Sequence, residues 1–152
     1  MDLGCRSIRH KNGSLHTGAA TKLNDCPDNE NNYPTFYFRT KVSIEDASAV
    51  TKITGSISSD DAVILYINGV KAKGFNEAGC ASNSSFCTNV SNGNPASENF
   101  EITASSVLSA LNDGENTVAV ELHNHAGNSS DIFFPQRKSR RFGLPCQRKR
   151  FC

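Results

Sequence analysis

The clearest order in the chain begins at Thr35. In TFYFRTKVSI, Phe36, Phe38, Val42 and Ile44 fall on one side at period two, and Tyr37, Arg39, Lys41 and Ser43 fall on the other. That alternation predicts a strand with one buried face. EDASAV (45–50) is a polar break with room for one helical turn. In VTKITGSISS, Ile53, Gly55 and Ile57 alternate with Thr54, Ser56 and Ser58, and Asp60-Asp61 mark a turn. AVILYINGVKAKGF (62–75) places two β-rich runs around Asn68-Gly69, a pair that supplies the positive φ angles of a tight type I′ hairpin. The first run is apolar on both sides and reads as a central strand. The return run carries Lys71 and Lys73 and reads as an edge.

Beyond the hairpin, residues 76–99 form a long polar excursion, followed by a short strand at FEI (100–102). Val107, Leu108 and Leu111 sit at helical spacing, Ser105 or Ser106 is placed to cap that turn, and Asn112-Asp113-Gly114 stops it. TVAVELH (117–123) alternates again, with Val118, Val120 and Leu122 on one face and Ala119, Glu121 and His123 on the other. DIFF (131–134) closes the pattern. Six to eight short strands and at most one brief helix leave no room for repeated βαβ crossovers. The expected fold is therefore all-β and antiparallel, most economically a β-sandwich of jelly-roll type. Its expected extent is 35–134, after an irregular lead-in (1–34) with room for one short strand.

Charge changes this picture at one end. Residues 1–134 hold all 15 acids against 9 bases, a net −6, whereas 135–152 hold 7 bases and no acid, so the total of +1 joins an acidic body to a basic tail. The tail, PQRKSRRFGLPCQRKRFC, has no period of either kind. It reads as foreign to the fold, as a frameshift or gene truncation would make it. A basic arm for nucleic acid and an inert solvated extension are the alternatives. The body is too acidic to grip a phosphate backbone. The sequence has no apolar run long enough to span a membrane, and its first residues lack the apolar stretch of a signal peptide.

The six cysteines contain no CxxC, which removes support for zinc ribbons and thioredoxin-like motifs. Cys80 and Cys87 bracket a polar loop and read either as a local disulfide or as two loop thiols. With Cys5, Cys26, Cys146 and Cys152, three bridges could form in about 15 ways. Nucleophilic motifs (GxSxG, HExxH) and phosphate cradles are missing. His123 and His125 lie two residues apart at a strand end and could share a ligand or metal, with Asp131 nearby. Asp60 and Asp61, or Asp25 and Asp28 with Glu30, offer oxygen donors of the kind a structural calcium uses. For sugar recognition the chain has no Trp. Phe75 and Phe86, flanking the long loop, are the preferred rings, whereas Tyr37 and Tyr66 read as core or sheet-face residues. Asn89 lies in the same loop and joins the ligand-binding candidates. Its N-x-[ST] triplet, like those at Asn12, Asn83 and Asn128, carries no weight by itself in so Asn/Ser-rich a chain.

Four phrases, taken together, carry a family resemblance. They are the aromatic-Phe-Arg strand (36–39), DDAVILYING (60–69), LNDGENTVAVELH (111–123) and SSDIFF (129–134). The chain resembles a galactose-binding-like jelly-roll module over about 100 residues. Such modules accompany bacterial secreted and surface enzymes, including calcineurin-like metallophosphoesterases. The resemblance implies a non-catalytic, carbohydrate-binding-like accessory domain of an extracytoplasmic protein, with a glycan or the parent's catalytic domain as partner. Recognition would fall to loops at one sheet rim (76–95 and 123–131). Alternatively it implies a structural module packed against that catalytic domain. The phosphoesterase's own His/Asp metal motifs are not present, so its activity does not transfer. An enzyme built on His123, His125 and Asp131 is the less favoured reading. Two departures are visible: family members continue the last strand where this chain turns basic, and the lead-in is short of the usual N-terminal strands.

Overall fold

A computed structural model describes residues 7–8, 33–88, 96–129 and 133–134. Within them the strands are β1 (Ser7–Ile8), β2 (Thr35–Ile44), β3 (Ile53–Ser59), β4 (Ala62–Ile67), β5 (Val70–Phe75), β6 (Ala96–Ile102), β7 (Gly114–His123) and β8 (Phe133–Phe134), with one short helix, α1 (Ser105–Leu108). A 3₁₀ turn at Ala47–Ala49 fills the predicted polar break. Asp46 caps it by accepting from the Ser48 and Ala49 amides. The strands form a four-stranded sheet of order β2-β7-β4-β5 and two pairs, β3-β6 and β1-β8, and every pairing is antiparallel.

The period-two phase read from the sequence sets the faces. Residues opposite each other across an antiparallel pair share a face, so Phe38, Val120 and Leu65 form one inner row, and Phe36, Leu122 and Val63 the next. This inner face packs on Ile102 of β6 and on Val107 and Leu111 of the helical segment, with Ile53, Ile57 and Phe100 at its margin. β4 is central and almost wholly buried, as its apolar run predicts, while β5 is the edge of the four-stranded sheet. Asn68 (φ 48°) and Gly69 (φ 84°) make the hairpin turn. The Asn68 side chain also donates to Ala110 O and Asn116 Oδ1 and accepts from the Thr117 amide, which ties the turn to the start of β7.

Three boundaries differ from the sequence reading. β6 begins at Ala96, inside the stretch assigned to the polar loop, because its backbone pairs with Ser59, Ser58 and Ile57 of β3 despite having no apolar alternation of its own. β7 begins at Gly114 for the same reason, opposite Ile44. No serine caps α1. Ala104 holds the N-cap position without a side-chain bond, and Ser105 is the first helical residue. The helix is held instead by Val107, which is buried in the core.

Candidate functional site

The outer face of the four-stranded sheet carries aromatic, acidic and basic side chains. Register places Tyr37, Glu121 and Ile64 in one row, Arg39, Ala119 and Tyr66 in the next, and Thr35, His123 and Ala62 at the end. Tyr37 is 49% exposed, the only large hydrophobic side chain described that stands so far into solvent. The Tyr66 hydroxyl donates to Glu121 Oε2 at 3.1 Å. Partial burial is the main reason that both phenols titrate above the ordinary tyrosine range. The Glu121 carboxylate adds to the effect at both, while a hydrogen bond between Tyr37 and Asn83 works against it at Tyr37. Both hydroxyls are therefore protonated donors at neutral pH. Two rings, a carboxylate, a guanidinium and the Asn83 amide thus share one open face.

The loop after β5 borders this face. It begins at Asn76, whose side-chain amide donates to Asp61 O. Gly79 (φ 78°) leaves room for Thr88, which returns to bond Ala78 O through both its amide and its hydroxyl. Cys80 and Cys87 are joined by a disulfide, one of the two readings the spacing leaves open. The Cys87 amide donates to Asn124 O at 2.9 Å, docking the loop on the end of β7. Asn124 in turn donates to Pro34 O from its backbone and to Tyr33 O from its side chain. The strand end is thereby held from two sides.

The two histidines do not converge. His123 lies 1% exposed, its Nδ1 3.0 Å from Thr35 Oγ1 and its Nε2 3.6 Å from Glu121 Oε2. His125 lies past the strand end, a third exposed, where its backbone amide and Nδ1 both reach the buried Asp61 Oδ2 at 2.9 and 3.0 Å. The i, i+2 argument fails because the strand stops at His123, so the next residues no longer alternate. Asp61 thus anchors a loop. Neither Asp60 nor Asp61 joins a group of three His, Cys, Asp or Glu side chains close enough to share an ion among the described residues.

Phe75 corrects another expectation: it is 4% exposed and packs edge-on against Phe100, with their centroids 5.5 Å apart, so it belongs to the core and offers no ring face. Its β5 position opposite Val63 puts it on the inner face. Phe86 is half-buried inside the disulfide loop. Asn89, Asp25, Asp28, Glu30, Asp131 and the basic tail lie outside the described residues. The face built on Tyr37, Tyr66 and Glu121 has one local signal in the sequence: the alternation that sets Tyr37 beside Arg39 and Lys41 turns it away from the core. Comparison with family models, with curated proteins and with solved structures finds no match.

Proposed function

We propose that this chain is a non-catalytic carbohydrate-binding module on a jelly-roll sandwich, belonging to an extracytoplasmic protein, and that the outer sheet face is its recognition surface. The observation that carries the reading is the exposed Tyr37 ring set one strand away from Glu121. A ring face packs against the apolar C–H face of a pyranose, while a carboxylate, a guanidinium and an amide bond its hydroxyls. Tyr37, Glu121, Arg39 and Asn83 supply that set. The Tyr66 hydroxyl holds Glu121 in place, so less ordering is needed when the ligand arrives. The Cys80–Cys87 loop walls one side, and a disulfide persists best in an oxidising compartment. Tyr37 is the one large hydrophobic side chain among the described residues that stands well into solvent, so affinity is modest.

Binding of the full chain to an array of immobilised glycans tests this reading. The expected result is a small set of related pyranosides bound without being cleaved, and a Tyr37→Ala variant that binds them about tenfold more weakly, equivalent to about 1.4 kcal/mol. An empty array would reject the reading. If the chain also formed a stable complex with a metallophosphoesterase catalytic domain, the structural-module alternative would replace it.

A further inference from the structure

The side chains of Cys80, Cys87 and His123 form the one group of three His, Cys, Asp or Glu residues among the described residues whose donor atoms all lie within 4.8 Å of one another. His123 comes from the end of β7, and the cysteines from the loop docked on it. The His123 ring is almost wholly buried, yet its Nε2 makes no hydrogen bond. A buried polar atom left in that state calls for an explanation. Glu121 Oε2 stands 3.6 Å from the same nitrogen.

We infer that reduction of the Cys80–Cys87 disulfide converts this cluster into a zinc-class metal site, with the two thiolates and His123 Nε2 as protein ligands and the fourth position left to water. In the disulfide form each sulfur is bonded to the other and provides no thiolate. A dithiol reductant delivers two electrons and two protons, breaks the S–S bond and leaves as its own disulfide. The two thiols formed lose their protons to solvent as they bind the cation.

The geometry suits a small tetrahedral ion. With metal–sulfur bonds of about 2.3 Å and metal–nitrogen or –oxygen bonds of about 2.0–2.2 Å, neighbouring ligands stand roughly 3.3–3.8 Å apart. The three donor atoms, all within 4.8 Å of one another, lie close to that range. Two thiolates and one imidazole select zinc-class ions over calcium or magnesium.

The second layer is also in place. With its proton on Nδ1, His123 donates to Thr35 Oγ1 at 3.0 Å, which fixes the ring and bares the Nε2 lone pair. The metal site itself stands independently of glycan recognition.

Cobalt(II) titration of the full chain, before and after reduction with a phosphine, tests the site. The reduced chain is expected to bind one equivalent, with thiolate charge-transfer bands and strong tetrahedral d–d absorption that zinc abolishes. The oxidised chain should show neither. A variant with serine at positions 5, 26, 146 and 152 should keep the signal, and Cys80→Ser and His123→Gln should each weaken binding at least about tenfold. In the reduced wild type, metal addition should also shift the His123 ring resonances, which reads that ligand without any substitution. The inference is overturned if reduction yields no tetrahedral spectrum, if the spectrum survives Cys80→Ser, if it disappears with the other four cysteines, or if His123 does not shift.

Discussion

Leu122→Ala is expected to lower the unfolding free energy by about 3–5 kcal/mol, the upper part of the range for buried leucines. The side chain is fully buried on the inner face, one row from the end of β7, opposite Phe36 on one neighbour and Val63 on the other. Strands on both sides are fixed by backbone ladders, so the hole left by truncation cannot collapse, and the lining atoms lose both burial and dispersion contacts. For a body of this size the loss corresponds to a fall in Tm of roughly 15–30 °C. Lys41→Ala, on the opposite face of β2, is the control and should stay within about 0.5 kcal/mol of wild type. Urea melts of the three proteins measure this directly. A loss below about 1 kcal/mol for Leu122→Ala would mean that the inner face is not the core.

Asn116→Ala should cost nearly as much, about 2–4 kcal/mol, although no apolar surface is at stake. Asn116 is completely buried at the far end of β7. Its Oδ1 accepts from the Asn68 amide group and the Asn112 backbone N–H, and its Nδ2 donates to the carbonyls of Asn112 and Gly114. Alanine removes all four bonds and strands their partners in a region closed to water, where each unsatisfied group costs about 1–3 kcal/mol. Water entering the space recovers part of that, which keeps the total below the sum. Asn116→Asp is a sharper version of the test. It keeps the acceptor but turns the donor into an oxygen facing two carbonyls, so it should destabilise at neutral pH and recover as the carboxyl protonates on acidification. Parallel denaturant melts at pH 4 and pH 7 read the difference. Equal stability of Asn116→Asp at both pH values would remove the network from its structural role.

Much of this architecture was legible in the residues because the inner face is mostly apolar, with Thr40 and Asn116 as its buried polar positions, and the strands keep period two. Phe36 and Phe38 in β2, Val118 to Leu122 in β7 and the unbroken run of β4 each announce their own orientation, and Asn68-Gly69 fixes the hairpin. What escaped was set by partners distant in sequence. ASEN at 96–99 has no strand pattern and becomes one only because β3 offers a backbone edge. The anchoring of His125 by Asp61 joins residues 64 positions apart. The site was half legible. Alternation placed Tyr37 on the polar side, but nothing local reveals that Glu121 of β7 stands beside it, since the register of β2 on β7 is a tertiary fact. Phe75 misled for the converse reason: its position next to a polar loop suggested exposure, whereas the strand phase of β5 turns it inward.

The most direct test of the outer face as a recognition surface is a heteronuclear NMR titration of the ¹⁵N,¹³C-labelled chain with the best-bound glycan from the array. Shift changes centred on Tyr37, Arg39, Tyr66, Glu121 and the Asn83 amide, with the glycan's own spectrum unaltered over time, are the predicted result. Changes confined to β3 and β6, or new sugar signals from a cleaved bond, would contradict it.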